Sequence, residues 1–287
     1  MIRRALLAAG LALTFAAAAQ AAPPAAIFTD PPADAANPAR MEVMHIPSGG
    51  VQINGVAYIP AGAGPHPTAV VLHGLPGNEK NLDLAQTLRR AGWTTITFNY
   101  RGSWGSPGTF SFRGNIADAQ AVLAFLRDPA NAAKLQVDPK RIVVMGHSMG
   151  GWVTSQIGGS DPGIAGAVLM SSADMSALAK APEPIRLRTA RDNMETLAGV
   201  TAESMVQEMT TLGDASFAAA APGLARHPLL VLTSDDGLAP VAQALADDVA
   251  KRGGKVTRVH VATDHGWSSA RIRLQTEILN WLAALPK

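Results

Sequence analysis

Six short apolar runs recur along the chain, separated by stretches of helical periodicity, and this rhythm limits the possible folds more than any other feature of the 287 residues. The runs cover residues 68–72, 94–99, 141–145, 164–170, 228–233 and 255–262. Rich in Val, Ile and Leu, they suit parallel strands buried on both faces. Between them the period changes. Residues 81–91 place Leu82, Leu84 and Leu88 on one side of a helix, and residues 115–126 gather Ile116, Ala119, Val122, Leu123 and Leu126. Further helices are expected over 239–249 and 268–285.

Strands alternating with helices imply an α/β architecture, a mostly parallel sheet with helices on both faces. Residues 41–46 and 51–59, joined through Pro47-Ser48-Gly49-Gly50, read as an antiparallel pair ahead of it and bring the expected sheet to eight strands. One interval breaks the rhythm. Residues 171–226 are far longer than an ordinary βα connection and hold helix-like stretches near 185–197 and 202–212. A small helical cap inserted after the sixth strand is expected there.

The strand at 141–145 runs into Gly146-His147-Ser148-Met149-Gly150, and Gly150-Gly151-Trp152-Val153 opens a helix. With 27 glycines in the chain, a chance Gly-x-Ser-x-Gly is no rarity. A match set between a buried strand and a helix is far rarer. Such a sharp turn strains the backbone at Ser148 and exposes its side chain at the sheet edge; the flanking glycines remove side chains that would collide with strand and helix. The turn also puts Ser148 at a helix N-terminus, where free N–H groups and the dipole favour developing negative charge. His147 cannot serve as the base for Ser148, because neighbours on a tight turn point apart, and it reads as a packed histidine.

A serine hydroxyl needs a base to take its proton and a third group to orient that base. The strand at 228–233 ends in Ser234-Asp235-Asp236-Gly237-Leu238-Ala239-Pro240, which offers two adjacent acids. Beyond them lie two histidines, His260 inside the last strand and His265 in the loop Thr263-Asp264-His265-Gly266-Trp267. The loop position lets His265 reach over the sheet edge toward the serine.

These motifs, in this order, resemble the α/β-hydrolase superfamily over essentially the whole chain from Met41 to Pro286, most closely its dienelactone-hydrolase-like and serine-aminopeptidase-like members. The resemblance implies the α/β-hydrolase fold and the chain order Ser, acid, His. Members carry a D-x-x-x-P pattern at the acid, which Asp236 and Pro240 match; this favours Asp236 over Asp235, although the glycine often found in that motif is missing. His73-Gly74-Leu75-Pro76-Gly77 resembles the family's H-G-x-x-G segment, which supplies one oxyanion-hole N–H while the residue after the nucleophile supplies the other. Family position assigns these to Leu75, with Gly74 the nearest alternative, and to Met149; His73 is expected to be structural. Asn99-Tyr-Arg-Gly-Ser-Trp-Gly-Ser-Pro-Gly108 resembles the glycine-rich turn that packs under the active-site loops. It is expected to be scaffold, with Arg101 as a substrate-carboxylate ligand the lesser reading.

The implied activity is carboxylic ester hydrolysis through an acyl-enzyme, with a small-molecule substrate and no cofactor. The same machinery serves a peptidase or amidase. A peptidase acting on free amino termini would need a carboxylate for the ammonium, and Glu183 and Glu195 of the expected cap are available. A catalytically silent binding module would be expected to lack a triad member, and all three positions are filled. Trp104, Phe110, Phe112, Trp152, Met170 and Trp267 fall near the active-site end of the sheet; an acyl pocket is one reading of them and core packing the plainer one.

Composition removes other classes. The formal charge of +2 falls to about 0 once Arg3 and Arg4 are set aside, which leaves no footprint for nucleic acid. The chain has no cysteine, so thiol catalysis, thiolate metal sites and disulfides are excluded, and no clustered metal-ligand spacing occurs. Arg3-Arg4, an apolar run over 5–19 and Ala19-Gln20-Ala21 describe a cleavable export signal over residues 1–21 and a periplasmic or secreted product. The run is shorter than the roughly 20 residues of a bilayer span, so no stable membrane span is expected after cleavage. Residues 22–40, rich in Pro and Ala, read as a leader along the surface of a catalytic domain spanning 41–287.

Overall fold

The structure, a computed structural model, describes residues 22–286, so the expected export signal lies outside the described residues. Strands β1 (Arg40–Ser48) and β2 (Val51–Ile59) form the expected antiparallel hairpin. They are followed by β3 (His66–Leu72), β4 (Thr94–Phe98), β5 (Val137–His147), β6 (Gly166–Met170), β7 (Leu229–Thr233) and β8 (Val256–His260). All eight belong to one sheet in the order β1-β2-β4-β3-β5-β6-β7-β8, parallel from β4 through β8. The helices are α1 (Leu82–Arg90), α2 (Phe112–Arg127), α3 (Pro129–Leu135), α4 (Met149–Ser160), α5 (Met175–Leu178), α6 (Glu183–Asp192), α7 (Ala202–Met209), α8 (Phe217–Leu224), α9 (Ala239–Lys251) and α10 (Arg271–Ala283).

Because side chains alternate across a strand, each apolar run feeds two cores. Val71, Val143, Met145, Val168, Leu230 and Leu232 pack with Leu84 and Leu88 of α1 and with Leu274 and Ile278 of α10. Val70, Leu72, Val144, Leu169 and Val231 pack with α2, α4 and α9 on the other face. Burying each such side chain contributes about 1.5–3 kcal/mol, which is why both faces are covered.

The last strand departs from the expected pattern. With a partner on one side only, β8 exposes Thr257, Arg258 and His260 and is not buried on both faces. Leu82 departs too: as the first residue of α1 it is 46% exposed, while Leu84 and Leu88 are buried. Helix α3 was not foreseen, although its start is written plainly. The Asp128 carboxylate accepts the N–H groups of Ala130 and Asn131 at 3.1 and 3.0 Å, and Pro129 occupies the first turn.

The long interval after β6 holds α5 to α8 and divides in character. Helix α8 belongs to the scaffold: it lies against α4 so closely that a Cβ on Gly223 would fall 1.9 Å from the Gly159 carbonyl oxygen. Helix α6 buries only Ala190. The leader makes one 3-10 turn, Ala25–Ile27, tied to α1 by Arg90, whose Nε donates to the Ala26 carbonyl at 2.6 Å and whose Nη2 donates to that of Ile27 at 3.1 Å. Among the described residues no helix is long and apolar enough to cross a membrane, and no group of three or more metal-ligating side chains occurs.

Candidate active site

Strand β5 ends at His147 and α4 begins at Met149, so one residue makes the turn. That residue, Ser148, has φ +57° and ψ −122°, a backbone conformation that costs a non-glycine residue about 1–3 kcal/mol. Its neighbours explain how the turn closes. A Cβ on Gly146 would lie 2.0 Å from the Gly150 carbonyl oxygen, and one on Gly150 would lie 2.3 Å from that of Leu72. Only hydrogen fits at either place. The Ser148 N–H donates to the Met170 carbonyl at 3.0 Å and its carbonyl accepts from Ala173, which fixes the turn against the end of β6.

The loop after β7 carries the two acids, and they part company. Asp236 accepts His265 Nδ1 on Oδ2 at 2.7 Å and the Leu238 N–H on Oδ1 at 2.9 Å, and its side chain is 4% exposed. Burial pushes its carboxyl up, but the hydrogen bonds from His265, Leu238 and Ser234 outweigh burial and hold it below the usual carboxylate range. Asp235 instead meets His260 Nε2 at 3.0 Å, outside the site.

Ser148 and His265 share the wall of a cavity of about 220 Å³ with Gly74, Leu75, Glu79 and His147. The backbone at Gly74 passes directly against the serine, since a Cβ there would sit 2.9 Å from Ser148 Cβ and 3.4 Å from Oγ. Leu75 follows in the same wall. Met149 is the first residue of α4, so its N–H belongs to the helix N-terminus that no intrahelical carbonyl satisfies. The structure thus places Ser148, His265 and Leu75 in one cavity wall, with Asp236 bonded to His265 behind it and Met149 directly following the serine.

His147 is buried, in keeping with a packed histidine, but is not idle. Its Nε2 donates to the His265 carbonyl at 2.7 Å and its ring lies 4.6 Å from the His265 ring. Burial, then the neighbouring His265, lowers its pKa to about 4, so it is neutral at neutral pH. His73 is likewise held to about 4 by burial; its Nδ1 donates to the Gly74 carbonyl at 2.8 Å, a structural role within the loop.

Several expected alternatives are not brought to the cavity. Arg101 Nε donates to buried Asp118 at 2.6 Å and its N–H to the same carboxylate at 2.8 Å, which makes it scaffold. Phe110, Phe112, Trp152, Met170 and Trp267 are buried in the core and form no acyl pocket here. Glu183 and Glu195 are exposed and are not among the residues lining the cavity; the carboxylate in its wall is that of Glu79. A small relay behind the acid also escaped the sequence. Trp267 Nε1 donates to Ser171 Oγ at 2.9 Å, and Ser171 Oγ lies 2.6 Å from Ser234 Oγ, next to Asp236. Ser234 directly precedes the acids, but nothing in the sequence pairs it with Ser171.

Comparison with known proteins agrees with this architecture. Residues 69–271 match the Alpha/beta hydrolase family. An uncharacterized protein of Mycobacterium tuberculosis (strain ATCC 25618 / H37Rv) is 31% identical over 121 residues, 42% of this chain and 41% of that one, so the chain spans about two fifths of that curated relative. EstE1, a thermostable carboxylesterase cloned from a metagenomic library, is 24% identical with a TM-score of 0.66 and 90% of both chains covered. The acylaminoacyl peptidase of Pyrococcus horikoshii is 16% identical with a TM-score of 0.65, covering 85% of this chain and 41% of that one. At such identities the solved structures speak for the fold. The family match spans most of the chain and takes in the strained serine turn, the buried aspartate and its histidine. The chain belongs to the alpha/beta hydrolase family.

Proposed function

We propose that this hydrolase is an exported serine enzyme that cleaves small carboxylic esters through an acyl-enzyme on Ser148. The observation that carries the reading is the 2.7 Å bond between Asp236 Oδ2 and His265 Nδ1 beside a serine held on a strained strand-to-helix turn. With Nδ1 committed to the carboxylate, Nε2 is the nitrogen left for the Ser148 proton. His265 takes that proton as Oγ attacks the ester carbonyl, and the resulting oxyanion is held by the N–H groups of Met149 and Leu75. Each such donor contributes about 10²–10³ in rate. Collapse expels the alkoxide, which receives the proton from His265 and leaves as alcohol. Water, deprotonated by the same imidazole, then attacks the acyl-enzyme and releases the acid.

The test is labelling of the mature protein by a fluorophosphonate, with loss of labelling in Ser148→Ala. Labelling that persists in the variant overturns the assignment, and an unlabelled wild type would point to a silent binding module. A second reading, amide or peptide cleavage by the same triad, draws support from the acylaminoacyl peptidase likeness. Matched p-nitrophenyl esters and aminoacyl anilides separate the two. Export is tested by fractionation and N-terminal sequencing, with a mature chain expected to begin after Ala21 or Ala22.

A further inference from the structure

The glycine-rich turn at residues 99–108 holds a residue in an uncommon backbone conformation. Trp104 has φ +49°, which bulky side chains rarely adopt, and its main chain is tied on both sides. Its N–H donates to the Thr196 carbonyl at 3.1 Å, and its own carbonyl accepts Asn99 Nδ2 at 3.1 Å. The side chain so aimed donates from the indole Nε1 to the Pro76 carbonyl at 2.6 Å. Pro76 directly follows Leu75 and has no N–H, so its carbonyl is the one polar backbone handle it offers. The same oxygen also accepts Thr196 Oγ1 at 3.4 Å, from the segment between α6 and α7.

The other end of the loop is held by the same ring. Lys80 Nζ sits 4.1 Å from the Trp104 ring centroid and donates to Asn99 Oδ1 at 3.1 Å. Residues 76 and 80 are thus both fastened to one indole, and residues 76 to 79 line the same cavity as Ser148. Nothing of this kind is needed merely to fill space, because an apolar ring of similar size would pack there without the donor.

We propose that Trp104 is a positioning residue for the oxyanion hole: its indole N–H, seconded by Thr196, holds Pro76 so that the Leu75 N–H stays aimed at the oxyanion. The inference rests on the reading of Ser148 and Leu75 given above. An oxyanion hole works because its donors are already in place when charge develops, so a loosened loop lowers kcat and leaves ground-state binding unchanged.

Trp104→Phe tests this, since it keeps a ring for Lys80 and deletes the donor. With p-nitrophenyl acetate, kcat is expected to fall about tenfold with KM within about twofold, and the fluorophosphonate labelling rate to fall in parallel. Thr196→Val, which leaves the turn intact, is expected to lower kcat about twofold at unchanged KM. Wild-type kcat and labelling in Trp104→Phe overturn the proposal. So does a loss of kcat matched by a rise in KM and a fall in melting temperature, the mark of a general structural role. Should Trp104→Phe not fold, unchanged kcat in Thr196→Val overturns it. An unlabelled wild type is a failure of the Ser148 reading, recorded before either variant is made.

Discussion

Asp235 and Asp236 follow the same strand, and each meets a histidine from the neighbouring strand β8 or the loop beyond it, yet the two acids live under different conditions. Asp235 and His260 are 61% and 46% exposed in their side chains and lie 3.0 Å apart on the outer edge strand. Asp236 is 4% exposed, with both oxygens occupied, and its histidine, 42% exposed, lines the cavity. In water such a contact gains little, because the solvent screens it and both side chains lose freedom. Under cover the same bond fixes a tautomer and a ring orientation. The difference between the two acids is one of shelter, not of residue type.

The comparison breaks most visibly at the sheltered pair. Asp236→Asn is expected to lower kcat by about 10³–10⁴, because an amide holds His265 in the wrong tautomer; steady-state rates on a p-nitrophenyl ester check it. An Asp236→Asn enzyme of near wild-type rate would erase the distinction. Next comes the imidazole behind His265. His147 has a pKa of about 4 in the fold against an ordinary 6.5. The unfolded chain therefore binds a proton in that window which the folded chain refuses, and stability falls as pH drops from about 6.5 toward 4. In His147→Gln, which keeps a donor for the His265 carbonyl, this acid-side loss is expected to shrink by a few kcal/mol, read from urea midpoints at pH 7 and 4.5. The exposed pair gives the smallest effect. Asp235→Asn should leave kcat within about twofold and stability within about 1 kcal/mol.

Much of this fold is legible in the sequence, for specific reasons. The parallel strands announce themselves because burial on two faces demands runs such as Leu229–Thr233. Ser148 is legible because the turn tolerates only glycine two residues either side, so a steric requirement is written as letters. Helix α8 was not legible: FAAAAPGL packs closely against α4, carries Pro222 and has no polar face to reveal a period. Strand β8 reads as buried because its composition does not show which strand ends the sheet. The roles of Ser171, Ser234 and Trp104 depend on partners 28 to 96 residues away, and no local pattern records such distances.

The Ser148 turn has a consequence for design. A residue kept at φ +57° is one the folded chain would exchange for glycine at a gain. Ser148→Gly should therefore melt a few degrees above Ser148→Ala, a gap wider than the ordinary preference for glycine over alanine at a helix N-cap. Under the proposed mechanism the nucleophile sits on a strained peptide unit, and thermostability bred into this chain without selection for turnover would be expected to relieve that strain.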